Sequence, residues 1–295
     1  MGEETMLDRV ILGDNQFFGI NHMSEEKAQT LDERFRDLKT ITDVIDIAYD
    51  CGVRGFMLNT HDKAKEICDY LRDNNDRYPD LWLYPSMPYA HKYANAVSEK
   101  GIFGAIKDTM LADSSAGEII SMITKGGFSL FEKDMLKVMQ LLVDIEMKIF
   151  RDLNIRVIFL QNIVTDLLLG FGIKEVFVGF ASYIKEKYGV EPGFVTMNMP
   201  RLVEFLLDCG IENPVVCSAI NKAGYFMNPD KKSYERTLSE KSFRPIAMSI
   251  LASGAIKARE AVEYVCEKSA IQSIVFGASS RQHIQETKEL IESYY

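Results

Sequence analysis

Eight apolar runs of strand length punctuate the chain. Each is followed by a polar loop and a stretch with helical periodicity. The runs are VILGDNQ (10–16), VRGFMLNT (53–60), LWLYPSMP (81–88), RVIFLQNI (156–163), GFVTMNM (193–199), PVVCSAIN (214–221), RPIAMSIL (244–251) and IQSIVFGAS (271–279). They are near-continuous rather than alternating, as parallel strands covered on both faces require. Between them, AREAVEYVCEK and SRQHIQETKELIESYY space apolar residues three and four apart. PRLVEFLLDCG opens on proline and closes on glycine, a sound helix start and stop. Eight such units predict an α/β fold, a (β/α)8 TIM barrel. A doubly wound open sheet is the alternative, disfavoured because no GxGxxG follows the first strand. No linker or low-complexity stretch divides the 295 residues, so one barrel domain over 1–295 is expected.

One connection is too long for an ordinary crossover: residues 89–155, between the third and fourth strands. It contains KGIFGAIKDTMLADSSAGEIISMITKGGFSLF and then a long helical pattern, EKDMLKVMQLLVDIEMKIFRDL. Such an insertion forms either a lid over the barrel mouth or an extra helical layer or oligomer contact.

The balance of charge narrows the partners. A formal net charge of -9 without a basic stripe argues against nucleic acid. No apolar run approaches the roughly 20 residues of a membrane-spanning helix. The start, MGEETMLDRV, is acidic and lacks the apolar core of a signal peptide. Five scattered cysteines without CxxC spacing read as reduced thiols and a cytoplasmic location. The expected partner is a small-molecule substrate, and a homo-oligomer is left open.

The strand ends carry the chemistry. The seventh run finishes in three small residues, Ala252-Ser253-Gly254, where a backbone comes close to a ligand. GASSRQH at the entry to the last helix (Gly277, Ser279, Ser280, Arg281) offers backbone amides and a guanidinium to a phosphate. The plainer reading is a serine cap with Arg281 in solvent. Three of the four histidines, His22, His61 and His91, follow the first three strands. Histidine suits proton transfer near neutral pH. His61 with Asp62 is the sharpest acid–base pair; His91 with Lys92, and Tyr89 as a phenol, come next. Asp14 and Asn15 at the first strand and Asn221 and Lys222 at the sixth are expected in the substrate pocket, together with His22. Gln161, Asn162 and Asn198 add amides that hydrogen-bond a hydroxylated substrate or simply satisfy strand-end backbone. A metal centre stays an alternative, although no HxH or HExxH spacing supports it.

The second half resembles the aldo-keto reductase superfamily. Ala247-Met248-Ser249-Ile250-Leu251-Ala252-Ser253-Gly254 is similar to that family's seventh strand, A-Y-S-P-L-x-S-G. Val275, Gly277, Ala278, Ser279 and Ser280 match its V-x-G-A-S-S turn. Asn198 and Ser218 stand at the ends of the fifth and sixth strands. The resemblance implies a barrel that binds NADP(H) through Asn198, Ser218, Leu251, Ser253, Gly254, Gly277, Ser279, Ser280 and Arg281. The family's Asp-Tyr-Lys-His tetrad is not matched. Met57-Leu58-Asn59-Thr60-His61-Asp62 stands at the second strand, Ser86-Met87 at the third, Asn162 at the fourth, and Met248 where an aromatic stacks on nicotinamide. His61, Asp62, His91, Lys92, Tyr89 and Asn162 are then the candidates for the reaction. Three expectations follow: an aldo-keto-reductase-like enzyme acting on a small carbonyl or sugar-like substrate; a non-redox lyase, isomerase or metal-assisted hydrolase using the rim histidines; or an inactive ligand-binding protein.

Overall fold

The computed structural model of the chain describes residues 6–19, 25–89 and 128–294. Eight strands, β1 (Val10–Leu12), β2 (Gly55–Asn59), β3 (Trp82–Met87), β4 (Val157–Leu160), β5 (Glu191–Thr196), β6 (Val215–Ala219), β7 (Arg244–Met248) and β8 (Ser273–Phe276), pair in parallel in chain order. The ladder closes when β1 pairs with β8, Val10 opposite Ile274 and Leu12 opposite Phe276. Helices α1 (Glu25–Arg34), α2 (Leu38–Asp50), α3 (Ala64–Asp73), α4 (Phe128–Met147), α5 (Asn162–Phe171), α6 (Lys174–Tyr183), α7 (Met199–Asp208), α8 (Lys231–Glu240), α9 (Ala258–Cys266) and α10 (Arg281–Glu292) follow the strands. The expected (β/α)8 barrel is the observed one. Each strand is shorter than its apolar run because the C-terminal residues of the run turn into rim loop: β1 ends at Leu12, and Asn15–Phe18 form a 3-10 turn.

Both faces of every strand are buried, which explains the continuous runs. Ile11, Met57, Tyr84, Val157, Phe159, Val195, Val215, Cys217, Ile246 and Val275 fill the inside of the barrel. Their chain neighbours, among them Leu12, Phe56, Leu58, Ile158, Leu160, Val216 and Phe276, pack outward against the helices. Because side chains alternate along a strand, the next inward positions at the C-terminal tips are Gly13, Asn59, Ser86, Gln161, Met197, Met248 and Gly277. At the opposite end the barrel is plugged by polar groups. Arg244 pairs there with Glu191, and the Tyr84 hydroxyl donates to Asp8 at 2.5 Å.

The long helical pattern of the 89–155 connection appears as α4, extended by a 3-10 turn at Lys148–Phe150. It supplies the outer helix between β3 and β4 and packs on α6. Gly179 of α6 allows that approach, since a Cβ there would lie 2.4 Å from Leu136. The lid reading of the insertion falls on residues 90–127, outside the described residues. Among the described residues no helix is long and apolar enough to cross a membrane. All five cysteines are free thiols.

Inside the barrel, Gly193 of β5 stands where a Cβ would meet the Phe159 ring at 2.4 Å and Val157 at 2.7 Å. Neither neighbour is a flexible chain end. We expect Gly193→Ala to keep the fold but lose about 1–3 kcal/mol through overpacking. A urea midpoint equal to the parent's contradicts this packing.

Candidate active site at the barrel mouth

A cavity of about 500 Å³ opens at the C-terminal ends of the strands, lined from seven strand ends and, on the β6 side, by Phe226 of the following loop. This is the end of a barrel where binding groups gather, and the volume suits a small organic ligand. Its polar wall is built from Asp14, Asn15 and Gln16 after β1, Asn59 of β2, Ser86 and Tyr89 at β3, and Gln161 and Asn162 after β4. Another wall is the β7 loop, Met248 to Leu251 with Ser253 and Gly254, together with Phe226, while Gly277 lies beside Gln16.

Asp14 is the central group of the polar wall. It is 3% exposed. Asn59 clamps its carboxylate twice: the backbone N–H donates to Oδ2 at 2.6 Å, and the side-chain Nδ2 donates to Oδ1 at 3.0 Å and Oδ2 at 3.1 Å. Gln161 donates in turn to Asn59 Oδ1 at 3.4 Å. Burial opposes the charge more than Asn59 supports it, so the carboxyl is pushed up to about 6. Tyr89 is half-buried. Desolvation, then the charges of Asp14 and Asp62, push its phenol up, so it stays a protonated donor. Its backbone N–H donates to the buried carboxylate of Glu146 at 3.2 Å, and the Thr60 hydroxyl donates to the same carboxylate. Helix α4 thereby holds the residue after β3 in position.

The β7 loop has an unusual backbone. Ser249, Ala252, Ser253 and Gly254 have φ of 54°, 47°, 56° and 90°. Three non-glycine residues in the left-handed region carry a cost of order 1 kcal/mol each, and such strain collects at ligand sites. The turn brings Ser249, Ser253 and Gly254 to the cavity beside Ile250 and Leu251, and a Cβ on Gly254 would meet nothing within 4 Å. Asn221 fixes the loop. It is fully buried, donates to Tyr225 O at 2.8 Å and Ser249 O at 3.3 Å, and accepts from Tyr225 N at 2.8 Å. It is therefore a clamp between the β6 and β7 loops rather than a pocket residue.

Several other expectations are also corrected by side-chain direction. Gln161, not Asn162, is the inward tip of β4, because it continues the parity of Val157 and Phe159; Asn162 opens α5 and borders the cavity. Ser218 faces outward, donating to Thr196 O at 2.8 Å beside the Tyr234 hydroxyl. Asn198 caps α7 by accepting from Arg201 N. Ser280 caps α10 by accepting from His283 N at 3.3 Å. Arg281 turns away to Asp50 at 3.3 Å, and Lys222 pairs with Glu260 at 2.6 Å in solvent. The cation at the β8 turn is Arg34 of α1, which donates to Ser279 O at 3.0 Å. His61 stacks on Phe18 at 4.1 Å and meets the Tyr89 ring edge-on at 5.5 Å, behind the cavity wall; Asp62 is exposed. His22, His91 and Lys92 lie outside the described residues. Among the described residues no group of three or more His, Cys, Asp or Glu is arranged to hold a metal ion.

No family model matches the chain, and no curated protein does. Solved structures do match, over nearly the whole length. A Pseudomonas aeruginosa protein assigned to the aldo-keto reductases superposes with TM-score 0.58 at 14% identity, over 97% of this chain and 90% of that one. The aldo-keto reductase of the silkworm Bombyx mori gives 0.55 at 11%, over 97% and 82%. An aldo/keto reductase of Brucella melitensis gives 0.51 at 12%, over 96% and 88%. The chain shares the closed (β/α)8 barrel fold of these proteins. In this chain the inward strand tips at the mouth include Asn59, Ser86 and Gln161, and a single carboxylate among the described lining residues, Asp14, sits with them.

Asp14 also gives stability a pH dependence. Its carboxyl ionises near 3.8 in the unfolded chain and at about 6 in the folded one. Between those values the native state holds the extra proton, so stability falls as pH rises through them and stays lower above. The expected loss is about 2–3 kcal/mol. Asp14→Asn should remove this slope. Urea titrations of both proteins at about pH 4.5 and about pH 7.5 check it, and parallel pH profiles would refute it.

Proposed function

We propose that this chain is an oxidoreductase of the aldo-keto reductase type, with a nicotinamide dinucleotide lying along the β7–β8 side of the mouth. It interconverts carbonyl and alcohol in a small, hydroxyl-bearing molecule held against the polar wall. The observation that carries the reading is the β7 loop. Its left-handed run brings Ser249, Ser253 and the side-chain-free Gly254 to the cavity, and Gly277 at the tip of β8 lies close against Gln16. The small residues there let a pyrophosphate and its ribose approach closely. The fold neighbours support the same reading.

Within it, Leu251, Ser253, Gly254 and Gly277 line the dinucleotide channel, and Met248 and Phe226 supply apolar surface for the ring. Arg34 takes over the role expected of Arg281 as the phosphate-facing cation at the β8 turn. Gln161, Asn162 and Asn15 orient the substrate by hydrogen bonds. The dinucleotide, when bound, supplies or accepts a hydride. A second reading, a non-redox isomerase or lyase, is favoured by Asn59, Ser86 and Gln161 at the tetrad's strand ends; such an enzyme would turn over substrate with no dinucleotide added.

Titration with NADPH should give a fluorescence change and a rise in melting temperature at sub-millimolar ligand. Gly254→Val, which strains φ of 90° and fills the open space, should weaken binding at least tenfold. Arg34→Ala should weaken NADPH more than NADH. No response to either dinucleotide at millimolar concentration removes the redox reading.

A further inference from the structure

We propose that Asp14 is the acid–base group of this cavity, exchanging a proton with the reacting oxygen of an uncharged, hydroxyl-bearing carbonyl substrate, and that Asn59 is its positioning residue. This rests on the functional reading above only for the hydride partner.

The geometry singles out Asp14. Among the described residues that line the cavity, Asp14 and Tyr89 are the only two with an ionisable acid or base. His61 stands behind Tyr89, and Asp62 is exposed. Asp14 lies at the tip of β1, nearly solvent-free, with both oxygens addressed by one neighbour. Among the described side-chain contacts, Oδ2 accepts the short backbone bond of 2.6 Å from Asn59 as well as its amide bond, whereas Oδ1 accepts the Asn59 amide at 3.0 Å. Oδ1 is therefore the oxygen free to hold and release a proton. Asn59 has no charge of its own, so it steadies the carboxylate without locking it in that form. Gln161 donates to Asn59 Oδ1 and fixes the amide so that its Nδ2 faces Asp14.

The surrounding groups suit a proton exchange near neutral pH. Desolvation is the first influence on Asp14 and Asn59 the second. The titratable group coupled to it from the β3 side is Tyr89, whose phenol is kept protonated partly by the charge of Asp14. A donor poised near the working pH is the efficient one. In the reducing direction the Asp14 Oδ1–H bond breaks and an O–H bond forms on the substrate. The carbonyl π pair moves onto that oxygen, and a bound reduced nicotinamide would supply the two-electron hydride for the new C–H bond. Asp14 is left as carboxylate, and water returns a proton to it.

The same wall defines the substrate class. Asn15, Ser86, Gln161, Asn162 and Ser249 offer amides and hydroxyls, and no Lys, Arg or His is among the described lining residues. An ionised Asp14 repels a carboxylate or phosphate placed beside it. Uncharged hydroxyaldehydes and hydroxyketones fit.

The test has one arm that needs no dinucleotide. Infrared difference spectra or carboxyl-labelled NMR of the free protein should show one carboxyl titrating near 6, absent in Asp14→Asn and displaced upward in Asn59→Ala. A second arm follows glyceraldehyde reduction with NADPH. Asp14→Asn should lose kcat at least a hundredfold with the NADPH thermal shift intact, Asp14→Glu should recover part of it, and the acidic limb of the parent's pH profile should move in Asn59→Ala. Glyceraldehyde should exceed glyoxylate at least tenfold in kcat/KM. Undiminished turnover in Asp14→Asn overturns the proposal even if NADPH binds. If NADPH does not bind, the redox reading fails separately. Asp14 is then judged by hydrogen–deuterium exchange at the carbons next to the carbonyl of dihydroxyacetone. Exchange by the parent that Asp14→Asn abolishes upholds the assignment, and no exchange, or equal exchange, overturns it.

Discussion

Closure of the strand ladder governs everything else in this structure. Once β8 pairs with β1, no edge strand remains, and every strand is committed to one inward and one outward set of side chains. Ile11, Met57, Phe159, Val195 and Val275 then share one core, while residues one step away belong to the helix layer. The same parity, carried one position further, decides which polar residues meet at the mouth. Asn59 and Gln161 come together across 102 positions of sequence because both continue the inward series of their strands.

The mouth trades stability for chemistry on two sides. On the β1–β4 side a carboxylate is held out of water by amide partners, with no lysine or arginine among the described lining residues to offset the cost. On the β7 side three non-glycine residues sit in the left-handed region, and buried Asn221 holds the turn in that conformation. The two departures line a single cavity. Other polar groups among the described residues include caps on α7 and α10, surface ion pairs, and a plug of Arg244 and Glu191 at the closed end.

Part of this was legible from the residues. The eight runs, their order, the helices between them and the long helix before β4 can be read from hydrophobic periodicity and punctuation. The seventh-strand ending in Ala-Ser-Gly was a sound pointer to the β7 wall, and Asp14, Asn15 and Tyr89 were rightly expected near the mouth. Other placements could not be read from the residues. A strand apolar on both faces has no alternation, so its sequence does not say which of Gln161 or Asn162 faces in, or that Ser218 faces out. Arg34 carried no local signal, since its place beside Ser279 arises from α1 packing near a turn 245 residues away. Arg281 looked like a phosphate ligand until Asp50 was found beside it.

The sequence by itself determined the repeat and the closed ring, because short-range periodicity and the burial of both strand faces leave few other solutions. Only the tertiary structure decided which side chains share the cavity. Inward or outward direction is a property of strand pairing, and the free energy that sets Asp14 apart comes from desolvation by distant segments, which no local pattern encodes.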